Sequence, residues 1–492
     1  MFKMKCLIKQ SAVLCCLFLI LTGCSMSGGG TDSSDSGTTE TDNVTAISVQ
    51  PPGEIANQED IGDLLGGEGD NWYFTRAMAI GENGSVVGQS NNGSPVKAAF
   101  LWNSATQTMT YLGIHQGGPY SDYYFLEEKV PDDWFIYSEA VGISSSSGDV
   151  IGNSTTGVGW PEETQKRAFY WKGSDPSNIV DLTPGYYLND DGEWEMGSFS
   201  EAVFINEDYV LVNIDDKEGR HAYYWDKTSL TTIDLLRHVD ENIDETVSIR
   251  VPIYHNLGKI IGADSEAVAI NRFNQAIINS GNTVIFHDVD LDAIESLNHL
   301  PGASSTTAAA INDRQPTGHV AGTSGAEAFF WDGGSMYPCG DLGGGTSEAK
   351  DINNHDQVVG HSTTASGATH AFIWNLENNG RGKITDLGTL GGINSWAVAI
   401  NDNGVIIGYS ETGEIYNEGN HSFNVVHGCV WHENVIYDLG VHNDFYDYPF
   451  VQPFPFSESV AINESNRIIG NSYTVNNHFR GYVLDAAFPS SD

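Results

Sequence analysis

A short phrase that recurs along the chain most constrains what this sequence can fold into. Its clearest copies are Ser-Trp-Ala-Val-Ala-Ile-Asn-Asp-Asn-Gly-Val-Ile-Ile-Gly-Tyr-Ser at 395–410 and Ser-Glu-Ala-Lys-Asp-Ile-Asn-Asn-His-Asp-Gln-Val-Val-Gly-His-Ser at 347–362. Six further copies begin near Arg76, Ser138, Ser200, Ser265, Thr307 and Ser457. Self-similarity at a steady spacing indicates one structural unit used repeatedly. Function is therefore expected in the parts that do not repeat.

Each repeat contains four short segments with the composition of β-strands. A small, β-branched segment such as 265–270 is followed by a turn rich in Asn, Asp and Gly, and then by a second segment ending in Gly-x-Ser. The third segment is aromatic, as at 99–102, and the fourth is a short edge piece, as at 179–181 and 233–235. Four strands per unit, repeated radially, are typical of a β-propeller. The recurring Trp and Ser residues are accordingly expected to be structural.

The two ends of the repeat region predict that the ring closes. Residues 61–67 resemble a fourth strand with no unit before it, and 481–485 resemble a third strand with no fourth after it. The N-terminal segment can therefore complete the last blade. We predict an all-β propeller of eight four-stranded blades over 57–488. Seven blades remain possible if the copy near Ser265 or Thr307 is not a blade, and a β-solenoid is the alternative architecture.

The N-terminus has the pattern of a bacterial export signal. Three lysines precede an apolar run at 12–21 that is too short to span a bilayer. The segment Leu-Thr-Gly-Cys ending at Cys24 resembles the lipobox of bacterial lipoproteins. The resemblance implies removal of residues 1–23 and attachment of lipid to Cys24, which then anchors the chain to a membrane. Ser25 in the next position implies sorting to the outer membrane, by analogy with Gram-negative lipoproteins.

The segments at the two ends of the propeller are expected to lack a core of their own. Residues 24–56 are rich in Ser, Gly, Thr and Asp, which predicts a flexible tether between the lipid and the propeller. Residues 489–492 form a short tail.

The repeat motif resembles the bacterial HAF-repeat family of extracellular proteins. The resemblance is closest at 370–374 (His-Ala-Phe-Ile-Trp) and 386–401, whereas other copies replace the His by Arg167, Glu327 or Arg480. It covers nearly all of the predicted propeller and implies an exported repeat protein. It brings no reaction and no catalytic residues.

The net charge argues against one class of partner, and the positions of the cysteines argue against a disulfide. The formal net charge is −43, so phosphate backbones would be repelled and nucleic acid is not an expected partner. Cys339 and Cys429 lie in the repeat region two units apart, which predicts buried free thiols rather than a disulfide. None of the Gly-x-Ser segments continues to the Gly-x-Ser-x-Gly of a nucleophile elbow.

Five of the predicted inner strands carry a glutamate as their second residue. If these strands line the axis, their carboxylates lie near one mouth of the channel and could recruit a cation such as Ca²⁺. The alternative is a solvated rim or hydrogen bonds to the neighbouring backbone. The residues are Glu139, Glu201, Glu266, Glu348 and Glu458.

The links from a fourth strand to the next first strand differ in length and composition. Those near 298–306, 343–346 and 391–394 are short. Others are long and rich in aromatic and acidic residues, and they fall on neighbouring blades, on an arc that the segment 237–264 extends. Their alternative role is to pack on each other as a small satellite cluster. The candidate ligand-binding residues are Trp72, Tyr73, Tyr123, Tyr124, Trp134, Tyr186, Tyr187, Trp194, Tyr446 and Tyr448.

These features predict a lipid-anchored cell-envelope propeller that serves as a binding platform. Exposed aromatic rings beside carboxylates suit a glycan or another envelope protein. The alternatives are a structural envelope protein, or a carbohydrate-active enzyme (lyase or glycoside hydrolase) that uses loop carboxylates. The candidate carboxylates are Asp132, Asp133, Glu193 and Glu195.

Overall fold

Eight antiparallel sheets follow one another around a closed ring in the computed structural model. Each has at least four strands, and the inner strand of every blade contacts the inner strands of both neighbouring blades, including the last and the first. This is an eight-bladed β-propeller, which confirms the predicted fold class and excludes seven blades. The structure describes residues 48–50, 59–61, 74–91, 97–113, 138–156, 165–173, 179–182, 187–188, 194–195, 199–216, 219–240, 243–256, 264–377, 382–418, 420–441, 456–473 and 479–488.

In every blade the strands that follow the inner strand lie successively farther out. Ahead of blade 1 in the chain are β1 (Ser48–Gln50) and β2 (Glu59–Asp60), which occupy the outer edges of blades 7 and 8. Blade 1 contains β3 (Thr75–Ile80), β4 (Val86–Asn91), β5 (Lys97–Asn103) and β6 (Thr108–Gly113), and blade 2 contains β7 (Ser138–Ile143), β8 (Val150–Thr156), β9 (Gln165–Trp171) and β10 (Ile179–Asp181). A separate two-stranded ribbon of β11 (Tyr187–Leu188) and β12 (Trp194–Glu195) follows. Blade 3 contains β13 (Phe199–Ile205), β14 (Tyr209–Asp216), β15 (Gly219–Asp240) and β16 (Ile243–Asn256), and blade 4 contains β17 (Ser265–Ile270), β18 (Gln275–Ser280), β19 (Thr283–Asp288) and β20 (Ala293–Ser296).

Blades 5 to 8 repeat the same order. Blade 5 contains β21 (Thr306–Ile311), β22 (Val320–Ser324), β23 (Glu327–Trp331) and β24 (Met336–Gly340), and blade 6 contains β25 (Gly343–Ile352), β26 (Gln357–Thr364), β27 (Thr369–Leu376) and β28 (Gly382–Asp386). Blade 7 contains β29 (Ser395–Ile400), β30 (Ile406–Glu418), β31 (His421–His432) and β32 (Val435–Gly440), and blade 8 contains β33 (Ser457–Ile462), β34 (Arg467–Tyr473) and β35 (Phe479–Asp485). No helix of the described residues is long and apolar enough to cross a membrane.

The Ala-x-Ala of the repeat marks a β-bulge. Every inner strand shifts register at this position, as between Ala397 and Ala399. The glycine of the second strand lies opposite, and a Cβ on Gly408 would stand 2.0 Å from the carbonyl oxygen of Trp396. Such a close approach requires glycine, which explains the Gly in the six blades that carry Gly-x-Ser; blades 3 and 4 have Val212 and Ile278 at this position.

Two of the recurring polar residues join neighbouring blades. The first serine of an inner strand accepts a hydrogen bond from the third strand of the preceding blade, as from Ala168 N–H to Ser200 Oγ at 2.8 Å. The asparagine that ends each Ile-Asn pair donates from Nδ2 to the corresponding carbonyl of the next blade, as from Asn353 to Asn401 at 3.0 Å. This asparagine chain runs through Asn206, Asn271, Asn312, Asn353, Asn401 and Asn463, and it ends on the carbonyl of Gly81 in blade 1.

The core lies between blades rather than within them. Among the described residues, eight apolar clusters occupy the eight junctions of neighbouring blades. The third-strand tryptophans are buried in them, with Trp225 and Trp374 fully inaccessible, which confirms their structural role. Cys339 and Cys429 are buried free thiols, as predicted, and burial raises the pKa of both.

The N-terminal segment closes the ring as predicted, but the strand that pairs is β2 (Glu59–Asp60), just before the predicted segment 61–67, of which 62–67 lie outside the described residues. β2 pairs with β35 as the fourth strand of blade 8, and Ile61 N–H donates to the carbonyl of Gly481 at 3.2 Å. Ile61 packs in the cluster between blades 8 and 1. Inside the predicted tether, however, β1 pairs in parallel with β32 and adds a fifth strand to blade 7. The tether prediction is therefore wrong for Ser48–Gln50.

Blade 3 differs from the sequence prediction. The segment 233–235, expected to be a fourth strand, belongs to the long β15, and β16 returns beside it as a projecting hairpin. Only Tyr254–Asn256 pair beside the aromatic third-strand segment, opposite Tyr223–Trp225. Because this hairpin joins a third strand to a fourth, it projects from the face opposite the predicted arc, so most of 237–264 does not extend that arc.

The ring has two distinct faces. Inner strands begin and second strands end on what we call the loop face, which also carries the links between blades. The opposite face carries the Ile-Asn turns and is called the turn face. Residues that follow the first serine of an inner strand therefore lie at the loop-face mouth of the central channel.

Candidate functional site

In each inner strand, the residue that follows the first serine or threonine of the repeat motif belongs to an axial rim at the loop-face mouth. In five blades this residue is the predicted glutamate, which confirms that these glutamates occupy equivalent positions around the axis. The other three blades carry different chemistry. In ring order the axial rim consists of Arg76, Glu139, Glu201, Glu266, Thr307, Glu348, Trp396 and Glu458.

Protein cations bind the rim glutamates of blades 2 to 4. Lys166 Nζ lies 3.5 Å from Glu139 and 2.8 Å from Glu201, and Arg220 contacts both Glu201 and Glu266. Burial alone would raise the pKa of Glu201, but Lys166 and Arg220 outweigh it and lower that pKa. The result is a ladder of alternating charge that joins three neighbouring blades.

The remaining two rim glutamates have separate surroundings. Glu348 contacts Lys350 and His361, and the hydrogen bond from His361, with Lys350, lowers the Glu348 pKa to about 2. Glu458 is buried; burial raises its pKa, although Asn471 donates to it at 3.1 Å. In the part of the chain that the structure describes, no three His, Cys, Asp or Glu side chains converge to hold a metal ion. Binding of Ca²⁺ at the rim stays a prediction.

Blade 7 carries an aromatic pair on the axial rim. Trp396 and Tyr409 are cross-strand partners whose rings stack with centroids 5.2 Å apart and planes 26° apart. Both side chains are partly exposed. The repeat places glutamate and asparagine at these two positions in four other blades, so the scaffold does not require aromatic residues here.

A buried carboxylate fixes the backbone next to this pair. Glu411 is only 6% exposed and accepts hydrogen bonds from the N–H groups of Ile393 and Asn394, both at 3.1 Å. The Asn424 side chain donates to the same carboxylate at 2.9 Å. Glu411 thus ties the short link before β29 to the projecting β30–β31 hairpin, and both elements border Trp396. The hairpin and link also expose Ile393 and Ile415.

The predicted ligand-binding residues of the long links fall mostly outside the described residues. Tyr187 and Trp194 lie in the β11–β12 ribbon, where Tyr187 is opposite Glu195 and Leu188 is opposite Trp194. The remaining candidates lie outside the described residues: Trp72, Tyr73, Tyr123, Tyr124, Trp134, Tyr186, Tyr446 and Tyr448, the carboxylates Asp132, Asp133 and Glu193, and Cys24. Binding by these aromatic residues and lipidation at Cys24 stay predictions.

The turn face carries an acidic collar that the sequence analysis did not identify. The N–H of Asp402 donates to Glu464 at 2.9 Å, and that of Glu464 to Glu82 at 3.2 Å. Burial and nearby carboxylates raise the pKa of Glu464 and Glu82. A cleft of about 390 Å³ opens beside the collar between blades 6 and 7. Its polar side chains largely bond to protein, as Gln357 does to Asn375 at 3.0 Å.

The residues that sequence reasoning missed were visible as departures from the repeat. The glutamates attracted attention because they recur, whereas Arg76 and Trp396 occupy the same position with different chemistry. Comparing the eight copies column by column would have identified both. The pairing of Lys166 and Arg220 with rim glutamates depends on the spacing between strands and has no such signal.

The fold and the rim define the chain as an eight-bladed β-propeller with an uneven loop-face mouth. No protein-family model matches it, and no curated protein sequence does. Among solved structures it is similar to the WD40 domain of SCAP from fission yeast, with a TM-score of 0.41 and 9% identity over 87% of this chain and 98% of that one. It is also similar to Pyrococcus horikoshii acylaminoacyl peptidase, with a TM-score of 0.37 and 9% identity over 72% of this chain and 52% of that one. Porphyromonas gingivalis dipeptidyl peptidase 4 is similar with a TM-score of 0.36 and 9% identity over 85% of this chain and 65% of that one. At this distance, function must be argued from the site itself.

Proposed function

We propose that this chain is an exported, lipid-anchored propeller of the cell envelope that binds a glycan through its loop face. The proposal rests on the loop-face chemistry and on the signal and lipobox patterns that end at Cys24. The closed ring is a rigid platform, since hydrogen bonds and apolar clusters join its blades at every junction.

The stacked Trp396–Tyr409 pair carries the proposal. Among the described residues, the third-strand tryptophans lie in the core, but Trp396 stands partly exposed on the axial rim. A flat aromatic surface packs against the apolar C–H face of a sugar ring, and flanking polar groups can bind the hydroxyls. Glu348 and His361 of blade 6 provide such groups on the preceding blade.

The position of β1 supports an outward-facing loop face. β32 runs from the turn face to the loop face, and β1 is parallel to it with Ser48 opposite Val435. The chain that leads back to Cys24 therefore leaves from the turn face. If Cys24 carries a lipid, the tether joins the propeller at the turn face and leaves the loop face accessible to ligands.

The binding proposal is tested on the soluble chain that starts at Ser25. We expect it to bind an oligosaccharide on a glycan array, and we expect Trp396→Ala to weaken that binding roughly two- to thirteenfold in calorimetric titration, because such aromatic packing contributes about 0.5–1.5 kcal/mol. Trp396→Phe keeps an aromatic surface and should retain most of the affinity.

Tyr111→Ala is the matched control, because it truncates an aromatic side chain that is 47% exposed on the outer strand β6. Equal affinity of the Trp396→Ala and Tyr111→Ala proteins would contradict the site. Absence of any glycan binding by the unsubstituted chain would contradict the proposed ligand class.

The anchoring proposal has its own test. The full chain should fractionate with the outer membrane and incorporate labelled fatty acid, whereas Cys24→Ser should do neither. Membrane retention of the Cys24→Ser chain would contradict lipidation at this residue.

A further inference from the structure

Blade 1 has a different charge arrangement from blades 2 and 3 at the loop-face mouth. In those blades a basic residue at the start of the third strand, Lys166 or Arg220, pairs with the rim glutamate of its own blade. The equivalent residue of blade 1 is Lys97, which lies opposite Asn91 as Lys166 lies opposite Thr155. The rim residue of blade 1, however, is Arg76, so two cations are neighbours where blades 2 and 3 form an ion pair.

Neither cation of blade 1 is neutralised by an ion pair in the described part of the chain. Lys97 Nζ lies 3.8 Å from the centroid of the Phe74 ring, and no carboxylate forms an ion pair with Lys97 or Arg76. Burial lowers the pKa of Lys97, and the positive charge of Arg76 lowers it further. The rim carboxyl of blade 8 is Glu458; burial raises its pKa, and the positive charge of Arg76 offsets only part of that increase. In a chain with net charge −43, a pair of neighbouring cations that form no ion pair with any described residue is a departure that suits an anionic ligand.

Aromatic rings lie beside these cations at the junction of blades 8 and 1. Phe74 stacks on Phe479 with centroids 5.7 Å apart, and Tyr473 meets Phe479 edge-on at 5.1 Å. Phe74, Phe479 and Tyr473 are all partly exposed on the loop face. The junction therefore offers apolar ring surface and positive charge together.

We propose that Arg76 and Lys97, with Phe74 beside them, form a subsite for a carboxylate-bearing sugar, such as a uronic acid residue of an acidic polysaccharide. A guanidinium group binds a carboxylate through two parallel hydrogen bonds, and the ammonium group adds a second positive charge. The aromatic rings pack against the apolar face of the sugar. The subsite rests on the proposed glycan-binding function and specifies its ligand class. Blade 8 separates it from the Trp396–Tyr409 pair, so one extended acidic glycan could contact both.

The test compares probes of equal length by calorimetric titration of the soluble chain. The probes are a hexamer of galacturonic acid, a neutral hexamer of glucose, and inorganic phosphate. We expect the galacturonate hexamer to bind at least tenfold more tightly than the glucose hexamer, with an affinity that falls as NaCl rises. Arg76→Glu should abolish this preference.

The Arg76→Glu protein is expected to fold normally, because the substitution gives blade 1 a glutamate–lysine pair with Lys97 like the pair in blade 2. Arg272→Glu is the matched control. It makes the same change of charge at a residue of the turn face whose side chain is 65% exposed, so it should leave galacturonate binding unchanged. Equal losses in the two variants would assign the effect to overall charge and overturn the subsite.

The other outcomes separate this inference from the proposed function. Equal binding of both hexamers, sensitive to Trp396→Ala but not to Arg76→Glu, would overturn the acidic subsite and leave the glycan platform standing. Displacement of galacturonate by millimolar phosphate would overturn the carboxylate assignment in favour of a general anion site. Failure of every glycan to bind would overturn both proposals.

Discussion

Replacement of Asp351 by asparagine should change how the stability of the propeller depends on pH. This residue follows the bulge of β25, where the other inner strands have alanine, glycine or phenylalanine. Its carboxyl accepts hydrogen bonds from Ile400 N–H at 2.9 Å and from Ile352 N–H at 2.8 Å. Burial raises its pKa to about 7, and the nearby Glu464 and Asp402 carboxylates add to the increase.

The size of the effect follows from the difference between the folded and unfolded pKa values. A pKa of about 7 in the folded protein against 3.8 in the unfolded chain is a difference of about 3 units, or about 4 kcal/mol. Because Asp351 keeps partial exposure on the inner strand, we expect about 2–4 kcal/mol. The folded state binds the proton more strongly. Its stabilising contribution is therefore complete below about pH 4 and is lost as pH rises through 7.

Urea unfolding at several pH values between 4 and 8.5 measures this effect. Asp351→Asn keeps an acceptor for Ile400 N–H but cannot ionise, so its free energy of unfolding relative to the unsubstituted protein should rise by about 2–4 kcal/mol across the range. Glu295→Gln, on the exposed strand β20, should show no such trend. A difference that stays constant within about 0.5 kcal/mol would refute the reasoning, because it would mean that Asp351 ionises as freely in the folded protein as in the unfolded chain.

Three further predictions concern the scaffold. Ser200→Ala leaves the buried N–H of Ala168 without its acceptor and should lower the free energy of unfolding by about 1–3 kcal/mol in urea titration; no measurable change would contradict the inter-blade role of this serine. Glu201→Gln removes the shared partner of two cations and should cost about 1–3 kcal/mol at pH 7. Since the ladder lowers the Glu201 pKa, this deficit should shrink as pH falls below about 4, and a deficit that persists at pH 3 would argue against an electrostatic origin. Cys339 and Cys429 should react with a thiol reagent only after denaturation, and rapid labelling of the native soluble chain would contradict their burial.

Much of the fold could be predicted from the sequence because the repeat encodes local structure and inter-blade contacts together. The aromatic third strand, the Asn-rich turn and the Gly-x-Ser ending each recur with one physical role, so the eight copies identified the propeller. The same reasoning misassigned 233–235 in blade 3, because a short apolar strand pattern does not reveal whether a hairpin projects beyond the sheet. It also missed β1, since Ser48–Gln50 gain their strand pairing only from β32, far along the chain.

The candidate site was less accessible from sequence. The sequence directed attention to aromatic residues in the long links, whereas the described structure brings Trp396 and Tyr409 together within the repeat itself. Arg76 and Lys97 are 21 positions apart and become neighbours only because three antiparallel strands set them on one face of blade 1.

The sequence by itself determined the repeating unit and predicted eight copies in a closed ring, because these depend on hydrophobic pattern and turn chemistry that act locally in every copy. The structure then excluded the seven-bladed alternative. Only the tertiary structure decided which charges meet at the axial rim. Whether a basic side chain finds a carboxylate, as Lys166 does, or another cation, as Lys97 does, depends on distances of a few ångströms between strands. Coulomb energy varies steeply over that range, and a linear pattern does not encode it.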